Sequence, residues 1–260
     1  MSFTDFDIYS LGDWTKARFI GFNNYLNLFK DPLFWISLKN TFYYVIAATP
    51  ISIAVSLGAA ILLNSKLVKL KVIFRLTYFI PVITTLVAVA IVWRFIYHPR
   101  FGILNYLLGI FGISPVDWLG DPNWAMPAII LMAVWKNFGY NMIIFIAGLQ
   151  NIPGYLYEAS VIEGANAWQQ FKSITLPMLA PTTFFISVIT MISFFQLFAE
   201  PYIMTQGGPL NKTLSIVQYM YLEGFRWWNM GYSASIAFVL FFIIFAGTLV
   251  QFKIQKTSEL

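Results

Sequence analysis

Residues 37–63 read SLKNTFYYVIAATPISIAVSLGAAILL, an apolar run long enough to cross a bilayer. An α-helix needs about 20 such residues to span the hydrocarbon core. Four more runs meet that length, at about Phe74 to Ile96, Trp124 to Leu149, Met178 to Ala199 and Tyr232 to Phe252. Their apolarity is continuous, which argues against amphipathic surface helices. Composition agrees: hydrophobic residues make up 59% of the 260-residue chain, charged residues 10%, and mean hydropathy is +0.71. A soluble domain carries about 25% charged residues. Lipid is the solvent that accepts such an exterior. The sequence therefore predicts an all-α integral membrane protein with about five transmembrane helices.

The net charge is +5. No basic stripe or nucleic-acid motif accompanies it, so no nucleic-acid partner is expected. The basic residues follow the membrane pattern instead. Lys66, Lys69 and Lys71 crowd the loop between the first two runs, Arg75 follows closely, and Lys253 and Lys256 follow the last run. The positive-inside rule places both groups in the cytoplasm, and with them the connection between the third and fourth runs. Trp118, Trp124, Trp227 and Trp228 fall near the opposite interface, as aromatic belts do. The expected organisation is an extracytoplasmic segment at 1–36, a transmembrane domain at 37–253 with a cytoplasmic loop at 150–177, and a cytoplasmic tail at 254–260. Residues 1–36 have no signal-peptide pattern. An odd number of spans with an outside N-terminus leads to the expectation that a preceding helix is missing.

The chain has no cysteine and one histidine, His98. Disulfides, thiolate metal sites and a cysteine nucleophile are excluded. A catalytic metal site takes about three protein ligands, so no metal site and no enzymatic activity are expected. The Asp and Glu residues fall in loops or near the ends of the runs. An ion-coupled secondary transporter, the alternative reading, would be expected to carry carboxylates inside the membrane. No G-x-x-x-x-G-K-[ST] occurs to hold ATP phosphates.

Between the third and fourth runs lies NIPGYLYEASVIEGANAWQQFKSITLP, residues 151–177. Pro153 suits the first turn of a helix. Leu156, Ala159 and Ile162 recur at helical spacing and predict one apolar face, with Glu158 beside it. Gly164 permits a sharp turn, and Trp168, Phe171 and Ile174 mark a second short helix. Two readings stay open: a helix resting on lipid headgroups, or one that docks into another protein.

The same loop resembles the E-A-A…G…I-x-L-P signature of the membrane subunits of binding-protein-dependent ABC importers. Glu158, Ala159, Gly164, Ile174, Leu176 and Pro177 carry the match; Ser160 stands where the motif often has Ala, and Glu163 where Asp is frequent. FIGFNNY, residues 19–25, is similar to the F-x-G-x-x-N-Y segment of maltose-type sugar permeases. Asn40-Thr41, residues 101–106 and TQGGP at 205–209 are similar to further segments of that family. The resemblance implies the type I permease fold of these importers, with the first of the usual six helices missing. It implies a translocation path for a sugar or oligosaccharide in a bacterial or archaeal cell membrane. Implied partners are a second, different permease subunit, two ATPase subunits that bind ATP and Mg, and an extracytoplasmic sugar-binding protein. This chain itself would hold no cofactor.

In that family the loop is the coupling helix seated in the ATPase. Glu158 then supplies a polar contact, Ala159 and Gly164 allow close approach, and Leu156 and Ile162 fill an apolar cleft; Glu163, Leu176 and Pro177 complete the motif. The substrate path is sought among polar and aromatic groups inside spans: Asn137, Gly139, Tyr140 and Asn141 in the third, Ser193 and Gln196 in the fourth. Asn137, Tyr140 and Gln196 are the preferred three. The competing reading makes such residues hydrogen-bonding glue between helices. Lys136 is expected to snorkel or to pair.

Overall fold

The computed structural model describes residues 1–10, 12–65 and 68–258, and no strand occurs among them. A short helix, α1 (Asn23–Lys30), precedes the first span. The Asp31 carboxylate then accepts the Leu33 amide at 2.8 Å, an N-cap bond, and Pro32 takes the first helical position, where its missing N–H is not needed. Helix α2 accordingly runs Pro32–Asn64, starting before the expected Ser37. Lys66 and Leu67 of the lysine loop lie outside the described residues. Lys71 Nζ donates to the Asn64 carbonyl at 3.2 Å, so a basic side chain meets the C-terminal end of α2, where the helix dipole favours it.

The second run differs from expectation. Instead of one helix over 74–96 there are two, α3 (Lys71–Ile83) and α4 (Leu86–Ile96). Pro81 removes a backbone donor in the last turn of α3, and Thr84 is extended at φ −72°, ψ 140°. The Thr84 hydroxyl turns back to the Ile80 carbonyl at 2.9 Å. After a short helix, α5 (Ile103–Ile110), the third run forms α6 (Ala125–Gln150), close to the expected span.

The loop helices are α7 (Gly154–Ile162), α8 (Ala167–Gln170) and α9 (Leu176–Met178). The fourth run forms α10 (Ala180–Phe195), which stops short of the expected Ala199. Tight turns from the Gln196 and Leu197 amides to Ser193 and Phe194 close it, and α11 (Ala199–Met204) follows. After α12 (Ile216–Tyr221), helix α13 runs Met230–Ser258. The expected tail from 254 is therefore helical as far as Ser258; Glu259 and Leu260 lie outside the described residues. Helices α2, α6 and α13 are long and apolar enough to cross a membrane alone, and counting the two broken pairs as single spans gives five.

The chain packs as two units. One comprises Ala48–Thr85 and Ala133–Met191. Its core joins Ala60 and Leu63 of α2 to Met142, Phe145, Ile146 and Leu149 of α6 and to Leu179 and Ile186, and Leu156 and Ile174 of the loop pack on it. The loop is thus seated on the same core that the spans build. The other unit comprises Met1–Ala47, Leu86–Met132 and Ile192–Leu260. There Asn40 Nδ2 donates to the carbonyls of Asn211 and Leu214 at 2.7 and 3.0 Å, and the Ile216 amide donates to Thr41 Oγ1 at 2.9 Å. The Tyr219 hydroxyl bonds Asp31 and, at 2.8 Å, Glu223, while Tyr232 donates to Asp31 at 2.8 Å. Burial first, then the Asp31 and Glu223 carboxylates, raise the Tyr219 phenol well above its ordinary range.

Candidate coupling loop and polar residues of the spans

Helix α7 starts after Pro153, which caps it from an extended conformation, and ends at Glu163. Gly164 then turns at φ +81°. That region costs an L side chain about 1–2 kcal/mol, so glycine is the residue the turn favours. Asn166 caps α8: its side chain accepts the Gln169 amide at 2.9 Å while Gln169 Oε1 accepts the Asn166 amide at 2.8 Å. This is a reciprocal capping box. The chain widens into a π-helical segment over Phe171–Thr175 before Leu176 and Pro177 open α9.

Two side-chain bonds hold the arms together. The buried Ser160 hydroxyl donates to the Tyr157 carbonyl at 2.7 Å and accepts Gln170 Nε2 at 3.0 Å. The Tyr157 and Thr175 hydroxyls meet at 2.9 Å. Between the arms is a cleft of about 480 Å3, whose lining includes Ala159, Glu163, Gly164, Gln169 and Ser173.

One expectation needs correction. Leu156 and Ile162 do not share a face: Leu156 packs on the core, whereas Ile162 is 88% exposed. Six positions along an α-helix leave two side chains roughly 120° apart. Leu156 is half-buried: it packs on the core of its own subunit and also lines the cleft between the arms. The outward surface is instead Tyr155, Val161, Ile162 and Trp168, with Glu158, Ala159, Glu163 and Gly164 exposed among them. Leu176 and Pro177 are exposed on the second arm.

The polar residues of the spans divide. Asn141 is buried, and its Nδ2 donates to Ser52 Oγ of α2 at 3.4 Å and Thr190 Oγ1 of α10 at 3.1 Å. It ties three helices, which matches the glue reading. Asn137 Nδ2 donates to the Ala133 carbonyl of its own helix at 2.9 Å. Gly139 is buried where α6 meets α3; a Cβ there would overlap the Tyr78 carbonyl oxygen. Tyr140 is exposed. Ser193 and Gln196, both exposed, belong to the other unit and are joined by a Gln196 amide bond to the Ser193 carbonyl at 3.1 Å.

Residues 52–257 match the family described as binding-protein-dependent transport system inner membrane components. The chain belongs to this family. The permease is 38% identical over 246 residues to the arabinooligosaccharides transport system permease protein AraP of Bacillus subtilis, covering 94% of this chain and 78% of the relative. It is 36% identical over 253 residues to the lactose transport system permease protein LacF of Rhizobium radiobacter, covering 95% and 85%. Its fold matches a chain of a bacterial ABC transporter involved in the import of the acidic polysaccharide alginate, with a TM-score of 0.82 at 22% identity over 96% of this chain and 90% of that one. The permease is a multi-pass protein of the cell membrane and a transport component, not an enzyme.

Sequence reasoning understated one residue. The Lys136 ammonium of the permease donates to the carbonyls of Pro81, Val82 and Thr84 at 3.2, 3.4 and 3.2 Å. It caps the end of α3 where the second span breaks. The available signal was Pro81 four residues after Thr77 in an apolar run, with a lysine in the middle of the following span.

Proposed function

We propose that the permease forms part of the path for a sugar or oligosaccharide and is driven by ATPase subunits seated on residues 151–177. Relatives named for arabinooligosaccharide and lactose transport support the substrate class. The observation that carries the coupling role is the contrast within α7. Its inner side is fixed by Leu156 and Ser160, and its outer side presents Tyr155, Val161 and Ile162 to solvent. A rigid helix with an exposed apolar and acidic surface suits a docking partner better than a headgroup layer. In this reading the loop and the C-terminal end of α13 are cytoplasmic, and an extracytoplasmic binding protein delivers substrate. A second permease subunit completes the path. ATP and Mg belong to the ATPase subunits. The ion-coupled carrier has no support from the family match.

Gly164 offers the test. A Cβ at Gly164 meets nothing within 4 Å, so strain comes from φ +81° alone. Gly164→Leu is expected to insert at normal levels yet lose at least tenfold of the ATPase stimulation by substrate-loaded binding protein in the reconstituted complex. Gly164→Ala carries the same strain with little bulk and should lose less. Full stimulation in the leucine variant would remove the loop from the coupling route.

A further inference from the structure

Helix α1 is built the wrong way round for water. Asn24 and Leu28 are buried, and Asn24 Nδ2 donates to the carbonyls of Ser2 and Thr4 at 2.9 and 3.0 Å. The exposed side carries Phe22, Leu26 and Phe29, which are 69%, 57% and 55% exposed. Their spacing of four and then three residues sets them on one stripe. The adjoining edge is polar: Asn23, Asn27 and Lys30 are exposed there. A short helix with an apolar stripe beside a polar one is the pattern of a segment lying in a bilayer interface.

The stripe does not stand alone. Phe3 packs edge-on against Phe22 with ring centroids 5.3 Å apart, and Phe29 lies 6.2 Å from Trp35 in the first turn of α2. The Trp35 indole N–H donates to the Phe29 carbonyl at 2.9 Å, which leaves the ring, half exposed, facing outward. Trp35 in turn shares a face of α2 with the exposed Phe42 and Ile46, seven and eleven positions on. An exposed apolar surface, rich in aromatic rings, therefore runs from α1 onto the first span. The band sits where that span must leave the hydrocarbon core, the depth at which aromatic side chains concentrate.

We infer that the band formed by Phe3, Phe22, Leu26, Phe29 and Trp35 is an interfacial anchor, seated among the phospholipid headgroups and upper acyl chains at the N-terminal end of α2. Its occupant is lipid because the surface continues the exposed apolar side of a helix long and apolar enough to cross a membrane, little of which is buried within this chain. The Asn23, Asn27 and Lys30 edge then meets headgroups and water. Anchored so, α1 and the Asp31 cap fix the depth at which the first span begins.

The chain has no cysteine, so single cysteines report cleanly. Leu26→Cys, Phe29→Cys, Asn23→Cys and Asn27→Cys in the full chain would be labelled with bimane and reconstituted in phosphatidylethanolamine–phosphatidylglycerol liposomes. Nitroxide-bearing lipid, shallow or deep in the acyl chain, supplies the quencher. The expected result is at least twofold stronger quenching at 26 and 29 than at 23 and 27, greater for the shallow nitroxide. Equal quenching at all four positions would overturn the anchor. So would positions 26 and 29 being quenched by aqueous iodide and not by lipid, the result expected if another protein covers the band in the assembled importer. Two independent apolar positions keep the test decisive if one variant fails to fold.

Discussion

Lys136→Met is expected to lower the melting temperature of the purified permease by on the order of 5–10 °C. An ammonium has three N–H groups, and Lys136 places Nζ within 3.2–3.4 Å of three carbonyls, those of Pro81, Val82 and Thr84. These belong to the set a helix leaves free at its C-terminal end, where the dipole is negative. Lys136 lies near the middle of α6, at a depth where a lost donor is not readily replaced. Methionine keeps the length of the side chain and donates nothing. Losing charge-assisted bonds worth about 1 kcal/mol or more each comes to about 3 kcal/mol, at roughly 2–4 °C per kcal/mol for a chain of this size. Lys136→Arg should recover part of the loss, because its planar fork fits three convergent carbonyls less well. Intrinsic tryptophan fluorescence during heating reads all three proteins. A methionine variant that melts with the wild type would show that the end of α3 is held by something else.

Gly139→Ala is the second large effect, with an expected loss of about 2–3 kcal/mol from overpacking. The added methyl would meet the Tyr78 carbonyl, a backbone group that cannot rotate away, so α3 and α6 must separate. Their separation would also lengthen the Lys136 bonds one turn away. Two other glycines calibrate the experiment. At Gly148 the new atom would meet the Thr182 and Leu179 side chains at 2.8 and 2.9 Å, which can adjust, so a smaller loss is expected. At Gly58 it meets nothing within 4 Å, and alanine should stabilise the helix by up to about 1 kcal/mol. Thermal melts ranked Gly58→Ala, wild type, Gly148→Ala, Gly139→Ala, from most to least stable, are the outcome these contacts require. Equal melting of the Gly139 and Gly148 variants would contradict them.

Much of this architecture is legible in residue order because lipid imposes a simple rule. Runs such as 37–63 and 124–149 need only length and apolarity, and both form helices, the second near its expected bounds and the first extended back to Pro32 by its Asp31 cap. The Asn166 and Gln169 pair is also a local signal, since a capping box spans only four residues, though the spacing of apolar residues alone does not show it. What stayed hidden depended on partners distant in sequence. The break at Thr84 sits inside a run that reads as one span, and its stabilising donor arrives from residue 136. Asn141 serves Ser52 and Thr190, a choice between glue and substrate contact that composition cannot make. Leu156 and Ile162 look alike in a spacing count, and only the core beneath α7 separates the inward from the outward one. In α1 the stripe of Phe22, Leu26 and Phe29 has helical spacing, yet spacing does not say that Asn24 is the buried side.

The central claim is that the outer surface of α7 meets an ATP-hydrolysing partner in the cytoplasm. Ile162→Cys tests it most directly, since this side chain is 88% exposed and the chain has no other cysteine. A membrane-impermeant maleimide should label it in inside-out vesicles and not in intact cells, and a short bifunctional cross-linker should join it to the co-expressed ATPase subunit. Labelling from outside intact cells, with no ATPase adduct from either side, would contradict the account.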